Sequence, residues 1–376
     1  MELTSKERIL LAVNNQAPDR VPVMPDFSNM IPCRLTGRPF WDIYLHRTPT
    51  LYEAYCAAAE HFGIDGWYQG YVNVHKKSTL DITASLSHRE GRIYQTVTHH
   101  TSKGDLQETI AYYSADPPTK TRKMVTNLRA QFPMIRELYA PVTGVDASSL
   151  EEQRRLAGDK GIYCLGVGYP GIHNWHDYFA GGAADACYAV YDEPDIMDEW
   201  AFLIDRESAV MAEIMLTLKP DVLLLGGSGT LTLASPELVR KYSLPTIRKI
   251  TRMAKEAGIP TMLHSCGTTM AFLDMLVRDT DLNCINPLEE PPMGDVILAD
   301  VKARYGDRIS LMGNLNTTDV MLYGSPEDVE RAAKKAIDDA GSGGGFILST
   351  GDQCGRDTPD ANLFKLVETA KTYGVY

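Results

Sequence analysis

Thr261-Met-Leu-His-Ser-Cys-Gly-Thr268 closes a short apolar run after Gly258-Ile-Pro260 and sets a histidine and a cysteine two residues apart. Residues i and i+2 of an extended strand point to one face, so His264 and Cys266 offer an imidazole and a thiol side by side. Gly351-Asp-Gln-Cys354 ends a second short apolar run, Gly345-Phe-Ile-Leu348, in a similar glycine-flanked turn. Cys354 approaches the first pair if the two strands are near neighbours in one sheet. One histidine and two cysteines make the three-ligand count of a zinc that keeps a position open for substrate.

Working outward from this stretch, short apolar runs alternate with amphipathic segments. Strands are expected at 20–26, 63–70, 161–168, 221–227, 261–264, 281–287, 308–313 and 345–348, and helices at 50–61, 148–156, 194–218, 270–277, 296–305 and 361–373, with further helices opening at Ser235 and Ser325. Thr4-x-x-Glu7 fits a capping box on an opening helix, and Pro194 suits the first turn of the long one. Eight nearly all-apolar strands alternating with helices predict a parallel sheet covered by helices and closed as a (β/α)8 TIM barrel, an α/β fold. No Gly-x-Gly-x-x-Gly follows the first strand, which removes the main reason to expect a dinucleotide-binding sheet. Residues 78–125 differ in texture. Period-two alternation around Glu90-Gly91 and Lys103-Gly-Asp105 predicts a β-hairpin or meander insertion in the N-terminal third, overhanging one end of a single barrel domain, 1–376.

Composition excludes several classes. A net charge of −12 with no basic tract disfavours nucleic-acid and anionic-membrane partners. The opening Met-Glu-Leu-Thr-Ser-Lys-Glu has no signal-peptide character and no apolar run nears 18 residues, so the expected location is the cytoplasm. Seven cysteines, an odd number scattered through the chain, do not form a disulfide framework. Cys33, Cys56, Cys164, Cys187 and Cys284 read as small buried hydrophobes.

Barrel chemistry sits where strands end, at the carboxyl face. Four consecutive runs end in His264-Ser-Cys266, Pro287-Leu-Glu-Glu290, Gly313-Asn-Leu-Asn316 and Gly351-Asp-Gln-Cys354, so their polar residues share one rim. Glu289 has three readings: a fourth ligand, a carboxylate holding His264, or a solvated residue before Pro291-Pro292. Asp26, Asn314 and Asp352 are rim groups able to bind substrate, with turn or cap hydrogen bonding as the alternative. The segment 166–179 carries Tyr169, His173 and Trp175 and would suit a flat apolar substrate such as a methoxylated aromatic ring; packing against the insertion is the competing reading.

Arg20-Val-Pro-Val, His264-Ser-Cys-Gly267, Asn286-Pro-Leu-Glu289 with Gly294-Asp295, Gly313-Asn-Leu and Cys354 with Thr358-Pro-Asp-Ala-Asn362 together resemble the uroporphyrinogen decarboxylase superfamily, and within it the zinc-containing, corrinoid-dependent methyltransferase branch. The resemblance runs over nearly the whole chain and is strongest from Pro260 onward. It implies zinc on His264, Cys266 and Cys354 and methyl transfer involving a small-molecule methyl donor or a thiol acceptor; Glu289, from its place on the rim, is the expected catalytic carboxylate. It also implies a corrinoid. No Asp-x-His-x-x-Gly signature is present, so that corrinoid is expected on a separate partner protein. A homodimer is compatible with the chain. The decarboxylase branch of tetrapyrrole chemistry is the alternative, but its arginine-rich amino-terminal motif is not visible here.

Overall fold

The computed structural model describes residues 2–77 and 80–376. The expected start of the insertion at Ser78 lies outside the described residues. Seven parallel strands run in the order β1 (Gly66–Gly70), β2 (Gly161–Val167), β3 (Val222–Gly226), β4 (Thr261–His264), β5 (Cys284–Asn286), β6 (Ser310–Leu315) and β7 (Phe346–Thr350). Their neighbours in space are their neighbours in sequence, the order of a singly wound barrel. Strands such as Val222-Leu-Leu-Leu-Gly226 are apolar on successive residues because both faces are covered.

The expected first strand is an extended segment rather than a laddered one. Val23 forms a single parallel bridge with Leu348 of β7. Met24 N–H donates to Leu348 O at 2.8 Å and Leu348 N–H to Pro22 O at 2.9 Å, while Asp65 N–H, just before β1, donates to Val23 O at 2.9 Å. The segment thus joins β7 to the β1 side and closes the ring. Pro22 and Pro25 have no N–H to give, which keeps its ladder short. The fold expected from the sequence is therefore present, with its first stave held by isolated bonds.

Local signals set the helix ends. Thr4, Thr50 and Ser325 each close a capping box, on Ser5–Val13, Leu51–Phe62 and Pro326–Ala340. Helix Pro194–Thr217 starts on its proline. Asp81–Arg89, Arg92–Thr101, Gly104–Tyr112 and Thr119–Arg122 form a four-stranded antiparallel meander. Leu106 from this sheet shares a second core with Phe132, Trp175, Phe179 and Trp200. At its other end, the sheet's Tyr113 and Ser114 carbonyls accept from Trp41 and Phe40 of the short helix Phe40–Tyr44. No helix among the described residues is long and apolar enough to cross a membrane. All seven cysteines are free thiols.

Below the barrel, Arg8 and Arg20 converge on Asp65, at 3.0 and 2.8 Å. Arg8 also holds Asp19 at 2.7 Å, and this bond lowers the Asp19 carboxyl to about 2. A depressed carboxyl contributes stability above its unfolded value that is lost as pH falls through the folded one. Acid titration followed by circular dichroism is expected to show a loss of about 1–2 kcal/mol between about pH 5 and pH 2 that Asp19→Asn removes. An identical acid profile in the variant would contradict the assignment.

Candidate active site at the barrel mouth

The β4 strand ends at His264, and the following turn brings Cys266 beside it. Ligand atoms of His264, Cys266 and Asp352 all lie within 4.8 Å of one another. The His264 Nε2 to Asp352 Oδ1 distance is 3.8 Å. Asp352 reaches this place on a backbone with φ of 147°, a region that a side chain disfavours, and its carboxylate accepts the Gln353 N–H at 2.8 Å.

The Cys266 turn is held from two sides. Glu289, itself buried, accepts the Gly267 N–H, and Thr232 Oγ1 both donates to Cys266 O at 3.2 Å and accepts from Thr268 N–H at 3.0 Å. Gly267 has φ of 82°, and a Cβ there would meet Thr232 Oγ1 at 1.9 Å. Gly267→Ala is expected to lose about 1–3 kcal/mol from the left-handed backbone alone and to displace Cys266. A urea midpoint and metal uptake that match the parent would contradict this.

Burial sets the electrostatics. The Cys266 thiol is pushed up to about 12 by desolvation, with Asp352 and Glu289 adding to it. The wholly buried Cys354 thiol is likewise pushed up to about 12. Desolvation also raises the Glu289 carboxyl. Asp26 is buried and raised for the same reason, opposed chiefly by His264 and by the hydroxyl of Ser28, which donates to it. A thiolate so desolvated needs a cation, as metal-binding cysteines do.

The residues singled out from sequence occupy different places. His264, Cys266 and Asp352 come together. Cys354 is tied to Asp26, its N–H donating to Asp26 O at 2.8 Å, and is outside the 4.8 Å group. Glu289 makes no hydrogen bond to His264; its partner is Gly267. Asn314 donates to Leu288 O at 3.1 Å. Tyr169 is fully buried with its hydroxyl 2.8 Å from Thr230 Oγ1. His173 lies 3.2 Å from Tyr169 O through Nε2, and burial lowers it to about 4, so it stays neutral. Trp175 is wholly buried against Tyr242 and Trp200, inside the second core. Sequence reading missed Asn286. It pairs with His264 in the β4–β5 register and is 1% exposed, and neither side-chain polar atom has a partner. Such a group costs about 1–3 kcal/mol unless something binds it. The only signal for it was its place in Asn286-Pro-Leu-Glu289.

Fold and site together define a (β/α)8 barrel whose carboxyl face carries a His-x-Cys pair and a carboxylate able to hold a small cation. The profile of the uroporphyrinogen decarboxylase (URO-D) family matches residues 180–373, just over half of the 376 residues. The chain belongs to this family. A methylcobamide:CoM methyltransferase, MtbA, of Methanosarcina mazei is 39% identical over 139 residues, which span 36% of this chain and 37% of that protein. The match thus covers little more than a third of the relative's length. A uroporphyrinogen decarboxylase of Crocosphaera subtropica is 24% identical over 265 residues, 68% of this chain and 69% of its own. Among solved structures, a methyltransferase from Methanosarcina mazei superposes with a TM-score of 0.65 over 99% of both chains at 17% identity, a likeness of fold. The match to MtbA bears out the resemblance to the methyltransferase branch of the family.

Proposed function

We propose that this protein is a zinc-dependent methyltransferase that moves a methyl group between a small molecule and the cobalt of a separate corrinoid protein. The observation that carries the proposal is the convergence of His264, Cys266 and Asp352 at the barrel mouth. Imidazole, thiolate and carboxylate suit a borderline-soft divalent ion. His264 and Cys266 would hold it, with Cys354 as the third ligand implied by family resemblance and Asp352 as a carboxylate at the same position. When bound there, zinc supplies Lewis acidity, lowering a thiol's pKa or steadying an oxygen that is losing its methyl group.

The chain's own residues do the rest. Glu289 fixes the Gly267 turn and, raised by burial, retains a proton closer to neutrality that it can pass to a leaving oxygen. Asn286 offers a donor and an acceptor beside His264. Asp26 and Asp352 serve as substrate-side groups, with Asn314, Tyr169 and His173 setting the surrounding wall. Trp175 is left to packing. We take residues 1–376 as one working unit with 78–125 as its overhang, acting in the cytoplasm. The small molecule is a methoxylated aromatic or another methyl donor, with a thiol acceptor as the alternative.

Tetrapyrrole decarboxylation is the rival reading. The residues gathered with His264 and Cys266 are carboxylates, Asp352 within 4.8 Å and Asp26 and Glu289 near by, a setting that matches poorly a substrate with many carboxylates. The test is zinc content of the purified protein together with methyl transfer to or from a cobalamin-loaded partner, followed by the cobalt absorbance change. About one zinc per chain with turnover supports the proposal. Turnover by zinc-free protein, or porphyrinogen decarboxylation, overturns it.

A further inference from the structure

A cavity of about 550 Å³ is lined by residues of the first 73 positions and by none of the metal-competent cluster. Its volume suits one small organic molecule. Ser28, on its wall, donates to Asp26, and Asp26 in turn feels the charges of His264 and Asp352. One hydrogen bond, from Ser28 to Asp26, thus joins the cavity wall to the site's surroundings.

Its chemistry is specific. The walls include Tyr44, Tyr52, Tyr55, Trp67 and Tyr71, which form a ring-rich slot. Two of the hydroxyls are already occupied: Tyr52 donates to Gln153 O at 2.6 Å, and Tyr55 accepts from Trp67 N–H at 2.9 Å. These residues are left to offer faces and edges of rings, which favour a flat aromatic guest. Asn29 Oδ1, also at this cavity, is a buried acceptor with no partner. Arg47 is the one charged lining residue, and among the described residues it makes no hydrogen bond or ion pair. Its backbone sits at φ of 53°, in the link between helix Phe40–Tyr44, anchored to the antiparallel sheet, and helix Leu51–Phe62. A guanidinium with no ion-pair partner, near only the Tyr112 hydroxyl and at the edge of an aromatic slot, is suited to a carboxylate.

We propose that this cavity binds an aromatic carboxylate, with its ring against the tyrosine and tryptophan walls and its carboxylate on Arg47. The inference rests on the methyl-transfer reading for the identity of the reacting group, a ring methoxyl, but its test does not need turnover. Titration calorimetry would compare 3-methoxybenzoate with neutral methoxybenzene on the full chain and on Arg47→Ala, a surface change that removes no bond seen in the fold. The parent is expected to bind 3-methoxybenzoate at one site per chain. Arg47→Ala is expected to weaken it about ten- to a hundredfold, the range for a charge-assisted pair, and to leave methoxybenzene unchanged. No saturable binding of 3-methoxybenzoate, equal affinity in the variant, or equal losses for both ligands would overturn the assignment. Because calorimetry reports binding alone, such a result leaves methyl transfer from other donors standing. Loss of transfer with binding intact would point to failure of the methyltransferase reading instead.

Discussion

Cys266→Ser is expected to lower zinc affinity at least about a hundredfold and to abolish methyl transfer while leaving the far-ultraviolet circular dichroism of the parent in place. The cysteine is partly exposed in a turn held by Thr232 and Glu289 through backbone groups, so a serine of nearly the same size can occupy it without disturbing those bonds. What is lost is the soft donor. Because burial pushes the Cys266 thiol up to about 12, it is protonated at neutral pH without a cation, and zinc uptake must release its proton. The parent should therefore bind zinc more tightly as pH rises, with the slope reduced in Cys266→Ser. Asp352→Asn, which keeps the shape but removes a charge 3.8 Å from His264, separates the two readings of that carboxylate. A loss of about tenfold or more in zinc affinity makes it a ligand or a close electrostatic support; unaltered affinity confines it to substrate. Zinc stoichiometry equal to the parent in Cys266→Ser would remove the foundation of the proposed chemistry.

Asp65→Ala is expected to destabilise the fold by about 3–5 kcal/mol, the largest single-residue effect on stability anticipated here. Asp65 is 1% exposed and accepts from Arg8 at 3.0 Å, from Arg20 at 2.8 and 3.0 Å and from Val23 N–H at 2.8 Å. Truncation leaves a partly buried guanidinium on Arg20 without its carboxylate and frees the segment that closes the barrel. Arg8 retains Asp19, so the damage falls mainly on Arg20 and Val23. The same segment delivers Asp26 to the mouth, so zinc affinity should fall as well, by a smaller factor. Urea unfolding of the parent, Asp65→Ala and Asp65→Asn checks this, with the amide intermediate because it still accepts hydrogen bonds. A midpoint in Asp65→Ala equal to the parent would show that closure does not depend on this charge.

Local chemistry was legible because it is local. The capping box at Thr4, the helix opening at Ser325, the proline start of Pro194–Thr217 and the nearness of His264 and Cys266 all act within a few residues; each is present, although Cys266 lies in the turn after the strand rather than on it. The alternation of apolar strands with amphipathic helices fixed the parallel barrel for the same reason: each strand had to be covered on both faces. Even there, the first stave was read as a full strand, whereas the two prolines in 20–26 leave it tied by single bonds.

Convergence between strands was decided by the tertiary structure. Asp352, two residues before Cys354, enters the group with His264 and Cys266 because of its unusual backbone angle, which no spacing rule foretells. Asn286 gained its place only when β5 lay in register beside β4. In segment 166–179 the aromatic residues looked alike in sequence, yet Trp175 fills a second core built with Leu106 from the antiparallel sheet. The open aromatic cavity instead draws its walls from two helices and β1, with Arg47 at its edge. The sequence by itself determined the strands, the helix starts and the spacing of His264 and Cys266, through pattern and propensity over short range; which distant residues meet was left to barrel closure and strand register, because contact between distant residues depends on the packing of the whole chain.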